Sequence, residues 1–302
     1  MKKKLISLIL AGTLFLFSPL DFTNKKNNLN SSDNLEKIIL KKENPVIKGI
    51  EKEKTEINKE KDFPKSKETN YIELVIADIN KKEEEYLYEH TKSIKIFNNE
   101  KNLEDSIIST LKKRDHTYRK DNPVNEHYNQ INNLSLKQKK AIYLMLDALK
   151  DSSFVNNIRN IIQEDLIDNY SEKGGIVEFK ENNKINLRSI ESAGNEEKKA
   201  AKDTSNNEGY SVSLEAYCSK KIGYFHLHSS KYNESKFAGP SSTDEYVIEE
   251  SLKISNLINE FIITSLKKGE FNMDYIGVDI SKSKKAITID LGNYIYDSLN
   301  LE

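Results

Sequence analysis

Gly174-Gly175 divides the chain into two kinds of polypeptide, and that division limits the folds open to it. Before the pair, apolar residues recur at helical spacing, as Leu103, Ile107, Ile108 and Leu111 do in NLEDSIISTLKKR. Ser135 and Gln138 form a capping-box signature at the start of LKQKKAIYLMLDALK. A second helix is expected from Ser152 or Ser153 as cap through Phe154, Ile158, Ile161, Ile162 and Leu166. Further upstream, YIELVIADI suits a strand or a buried helical turn, and KKEEEYLYEHTKSIKIF suits either period. After the glycines the period changes to two. GIVEFK and KINLRSIE predict a hairpin across Asn182-Asn183, YSVSLEAYC and KIGYFHLH two more strands, and MDYIGVDIS and KAITIDL a last pair. SAGNEEKKAAKDTSNNEG, charged and rich in Asn, is expected to be an exposed loop. From Ser242 or Thr243 a long helix is expected, with Val247, Ile248, Leu252, Ile254, Leu257, Ile258, Phe261, Ile262 and Leu266 inside it and Lys267-Lys268-Gly269 closing it. Helix, strands, helix, strands over residues 152–302 indicate an α+β or mixed α/β domain, preceded by a mainly helical region over 71–151.

The rest of the chain has a different composition. An apolar share of 36% is too lean for all 302 residues to be packed. Residues 22–70 are Lys, Asn, Glu and Ser with few large apolar groups, which predicts a disordered charged linker. Before it, Lys2-Lys3-Lys4 and the apolar run Leu5 to Phe17 are the n-region and h-region of an export signal. Residues 1–21 are therefore expected to be a signal peptide or an N-terminal anchor, and the protein to be secreted or held at the outer face of the membrane. With Lys+Arg 47 against Asp+Glu 48, the net charge of -1 argues against general nucleic-acid binding, which rests on excess positive charge. Cys218 is the single cysteine, so an intramolecular disulfide framework and Cys-rich metal sites are excluded. Any metal has to be held by carboxylates and by the five histidines. His90, His116 and His127 are scattered among charged residues and are expected to be structural or superficial.

The other two form the main chemical signal. His226-Leu227-His228 ends a predicted strand, and alternation puts both imidazoles on one face. Two buried, hydrogen-bonded histidines would satisfy that pattern without any metal. Downstream, however, Gly239-Pro240-Ser241 leads Asp244 into the first turn of the next helix, and a loop that folds back there can complete a His, His, Asp triplet. Asp244 is also an ordinary partner for a helix N-terminus. A hydrolytic centre needs a base as well. Glu172 is the first choice, because the two glycines after Lys173 permit close backbone approach, and Glu178 on the hairpin is its competitor.

Glu172 followed by Gly174-Gly175 and an apolar strand, His226-x-His228 at a strand end, and Ser241-x-x-Asp244 opening a helix together resemble the JAMM motif of the MPN/JAB metallopeptidases. The resemblance covers roughly the C-terminal half of the chain. It implies an MPN/JAB-like mixed sheet flanked by helices, with zinc bound by His226, His228 and Asp244. By the same resemblance Glu172 is general base and acid, and Ser241 hydrogen-bonds the oxyanion. The implied function is that of an exported hydrolase, a zinc peptidase or isopeptidase that cuts an amide bond of a peptide or protein with a metal-activated water. The alternative is a catalytically inactive MPN-like scaffold or binding protein at the cell surface. The family's proline after the second histidine is Ser229 here, and SSKYNESKFAG lengthens the path to Ser241. That loop, with Tyr232 and Phe237, is expected to act as a lid or specificity loop. HLHSS is also similar to the opening of the PHP phosphoesterases, but those need later histidines and none follows His228.

Overall fold

A computed structural model of the chain describes residues 81–116, 128–167, 172–180, 183–191, 215–216, 219–228, 239–251, 259–266, 269–280 and 285–295. The export segment, the linker, YIELVIADI, His127, Cys218, the loop over 192–209 and the segment 229–238 lie outside these residues.

The described part before the glycines is helical: α1 (residues 81–91), α2 (Glu100–Leu111), α3 (Leu136–Ala148) and α4 (Ser152–Ile167), with short 3-10 turns at Lys95–Asn98 and Ile131–Asn133. The starts of α2, α3 and α4 have local causes. The Asn99 side chain accepts from the backbone of Asn102 at the head of α2. Ser135 and Gln138 close the reciprocal capping box of α3. At α4 the capping group is Asp151, which accepts from both the backbone and the hydroxyl of Ser153; Ser152 and Ser153 are already helical.

Among the described residues six strands follow: β1 (Gly174–Phe179), β2 (Ile185–Ser189), β3 (Gly223–His228), β4 (Glu260–Ser265), β5 (Glu270–Val278) and β6 (Ala286–Ile295), with α5 (Ser242–Ser251) between β3 and β4. They form one mixed sheet in the order β2-β1-β3-β4-β5-β6. β3 and β4 are parallel and every other neighbouring pair is antiparallel. The fold is thus mixed α/β. Val177, Phe225, Leu227, Phe261, Ile263 and Met273 face the helical layer and join a core with Leu103, Ile107, Ile142, Met145, Ile158 and Ile162. The opposite face carries Ile176, Tyr224, Ile262 and Ile276 against Val247 and Ile248 of α5.

Covering both faces explains where the helical expectation after Ser242 fails. Phe261, Ile262 and Leu266 do not extend α5, because Glu260–Ser265 is the strand β4 and all six of its residues are buried. A strand buried on both faces has a continuous apolar run instead of an alternating one, and such a run also fits the helical period. Of the strand expected over YSVSLEAYC, Glu215 and Ala216 are helical and the other residues lie outside the described ones.

Gly175 fits because β1 and β2 approach closely: a Cβ there would collide with the Arg188 carbonyl. Gly175→Ala is expected to lower unfolding free energy by about 1–3 kcal/mol, the usual cost of overpacking. Urea denaturation checks this, and an unchanged midpoint would mean that β2 can give way.

Candidate metal centre

Sheet register builds the site. Gly174 on β1 and Ile262 on β4 flank His226, and Thr264 lies beside His228. Since Tyr224 and Ile262 face α5, alternation turns His226 and His228 to the same side. Their Nε2 atoms lie 3.0 Å apart. Asp244, in the first turn of α5, brings Oδ1 to 3.5 Å from His226 Nε2 and Oδ2 to 3.3 Å from His228 Nε2. Antiparallel pairing continues past β1, with the Leu227 N–H donating to the Lys173 carbonyl at 2.9 Å, so the neighbouring Glu172 arrives beside His228. Ligand atoms of Glu172, His226 and His228 all lie within 4.8 Å of one another. The Lys173 N–H also donates to Asp165, a buried residue of α4, which anchors the segment carrying Glu172.

The far sides of the two rings are held as well. His226 Nδ1 is 2.7 Å from Glu260 Oε1, and His228 Nδ1 is 3.1 Å from the Gly239 carbonyl. A carboxylate and a carbonyl only accept, so each Nδ1 carries the proton it donates. Neutral rings would then aim two Nε2 lone pairs at each other across 3.0 Å. A proton or a cation between them removes that repulsion. Without a cation the proton is strongly held: burial lowers the affinity of His226 for it, but Glu260 and Asp244 outweigh burial and raise the pKa well above the usual 6.5. Burial pushes the Asp244 carboxyl up, and the two imidazoles overcome this and hold it far below the ordinary carboxylate range.

Charge gives the same answer. Glu260 is 1% exposed, its Oε2 has no hydrogen-bond partner, and among the described residues its ion pair is with His226. Two buried or half-buried carboxylates, Glu260 and Asp244, therefore meet imidazoles that are neutral unless protonated, and Glu172 adds a third carboxylate nearby. Buried charge of one sign is costly unless compensated. Two nitrogens with oxygen donors beside them, backed by outer hydrogen bonds, suit a divalent metal ion.

Ser241 caps α5 reciprocally with Asp244. The Ser241 N–H donates to Asp244 Oδ2 at 2.6 Å, and the Asp244 N–H donates to Ser241 Oγ at 3.2 Å. This fixes the carboxylate and leaves the serine O–H proton as a donor at an exposed position. Glu178 is elsewhere: further along β1, it is ion-paired with Arg188 at 3.0 Å. His90 stacks on Phe179, with ring centroids 4.6 Å apart, and His116 bridges Asp290 and the Leu111 carbonyl.

Sequence reasoning missed Glu260, Thr264 and the Gly239 carbonyl. Thr264 Oγ1 accepts from the Gly239 N–H at 3.3 Å, and Gly239 has a left-handed φ of 106° that suits glycine. The available signal was a glutamate opening an apolar run, which acquires meaning only once that run is a strand beside β3. No protein-family model, curated protein or solved structure matches the chain. No helix among the described residues is long and apolar enough to cross a membrane.

Proposed function

We propose that this chain is an exported zinc-dependent hydrolase of amide bonds, a peptidase or isopeptidase of the MPN type. The observation that carries the reading is the convergence of His226, His228 and Asp244 on one point with Glu172 beside them. The mixed sheet, with α5 following the His-x-His strand and packing on its histidine-bearing face, supports the MPN/JAB assignment. His226 Nε2, His228 Nε2 and an Asp244 oxygen would hold the ion. When bound, zinc brings the pKa of water to about 7 and polarises a carbonyl.

The protein's own groups do the remainder. The Glu172 carboxylate accepts a proton from water and returns it to the leaving amine, and its half-buried position keeps it near both histidines. The Ser241 hydroxyl donates to the carbonyl oxygen as negative charge develops there. Hydrogen bonds from Ser241 and to Glu260 keep Asp244 and His226 in place, so little reorganisation is needed during reaction. The substrate is a peptide or protein.

A panel of peptide and isopeptide-linked substrates, offered to the purified full chain, tests this. Hydrolysis is expected to stop on chelation and to return with added zinc. Hydrolysis indifferent to chelator would end the reading, and bound zinc without hydrolysis would leave an MPN-like scaffold.

A further inference from the structure

We propose that β4 is the outer support of the metal centre, with Glu260 a positioning residue that sets the strength of metal binding; this rests on the metal-centre reading above. Parallel pairing puts Tyr224 beside Glu260, His226 beside Ile262 and His228 beside Thr264. Residues 260, 262 and 264 therefore share the histidine face. Glu260 reaches diagonally to His226 Nδ1 at 2.7 Å. Thr264 acts through the backbone: its Oγ1 holds the Gly239 N–H, and the Gly239 carbonyl holds His228 Nδ1. One strand thus fixes the orientation of both rings, and it does so from buried positions, Glu260 at 1% and Thr264 at 0% exposure.

The two supports differ in chemistry. A carbonyl accepting from Nδ1–H fixes the ring and its tautomer. A carboxylate does that and also pulls on the Nδ1 proton, which makes Nε2 a better electron-pair donor. It adds a negative charge close to the ion, and here that charge has no lysine or arginine partner among the described residues. The burial cost of this carboxylate is offset through His226, whose ring carries positive charge either as a held proton or through a cation on Nε2. Its Oε2, buried without a hydrogen-bond partner, leaves negative charge beside the two imidazoles that suits a cation held on their other side.

Zinc affinity of the full chain, measured by competition with a chelator of known affinity, tests the assignment. Glu260→Gln keeps an oxygen that can accept from Nδ1–H and removes the charge, so it perturbs packing little. It is expected to weaken zinc binding about 10- to 100-fold, the usual effect of losing an outer-shell partner, and to shift the visible absorption of the cobalt-substituted protein. Thr264→Val, which removes the acceptor from Gly239, should weaken binding by a smaller factor in the same direction. Thermal unfolding of the zinc-free variants checks that they are folded. Wild-type affinity and an unshifted cobalt spectrum in folded Glu260→Gln would overturn this inference and leave the metal centre standing. A wild-type chain that binds no zinc would overturn both.

Discussion

Replacing Glu172 by Gln is expected to lower amide hydrolysis by about 100- to 10,000-fold, the range for losing a general acid–base group, while zinc stays bound. His228→Ala is expected to lose both. The two phenotypes separate because the residues do different work. His228 Nε2 faces Asp244 and His226 directly, so its removal takes away a donor that only this strand position supplies. Ligand atoms of Glu172 and of both histidines lie within 4.8 Å of one another, and glutamine keeps the size and a carbonyl oxygen of Glu172 while losing its basicity. Zinc content and initial rates on the same preparations decide the matter. Full activity in Glu172→Gln would remove it as the base. Glu178 could not then take its place from where it stands, ion-paired with Arg188.

The second large effect is expected at His116, which is not part of the candidate metal centre. Its two ring nitrogens face acceptors on both sides, Asp290 Oδ2 at 2.9 Å and the Leu111 carbonyl at 2.8 Å. Only the protonated ring satisfies both. Burial lowers its affinity for the proton, but Asp290, the Leu111 carbonyl and the nearby Asp115 outweigh that and raise the pKa above the usual 6.5. The Tyr128 hydroxyl, 3.4 Å away, is the other titratable group facing the ring. Asp290 Oδ1 meanwhile accepts from Asn272 Nδ2 and the Gly292 N–H, so the pair ties the end of α2 to β5 and β6. Asp290→Ala would leave the ring and both donors without their acceptor. A loss of about 3–5 kcal/mol is expected, as for breaking a buried ion pair from one side.

Sign follows from linkage. A group whose folded pKa is raised contributes its full stabilisation below its unfolded pKa, about 6.5 for histidine. The contribution is lost as pH rises through the folded value. The stability difference between wild type and Asp290→Asn, from denaturant midpoints, should therefore be largest near pH 6 and shrink under alkaline conditions. A gap that is constant with pH would mean that Asp290 does not raise the pKa of His116.

Much of this was legible in the chain, for reasons that differ by residue. Ser135 and Gln138 could be read because a capping box is a local reciprocal bond, complete within four residues. Alternation in GYFHLH put His226 and His228 on one face, as the 3.0 Å Nε2 separation requires. The hairpin over Asn183 was legible for the same local reason, and Asn183 adopts the left-handed φ of 60° that such a turn favours. β4 was not legible. Its run of buried residues carries no period of two, and its strand character comes from parallel pairing with a segment more than thirty residues earlier. Glu260 was invisible with it, since within a helix it would have been one more charged residue. The sequence could nominate ligands, because their types and spacing are local; what braces them from the next strand belongs to the tertiary fold.

X-ray absorption at the zinc edge, on the full chain dialysed against zinc, reads the ligand set of the ion. One ion per chain is expected, bound by two imidazole nitrogens at about 2.0–2.1 Å and by oxygen donors, with the imidazole signal lost in His226→Ala. An ion held without imidazole, or a zinc content unchanged by that substitution, would mean that His226 and His228 are not ligands and that there is no metal centre at this strand end.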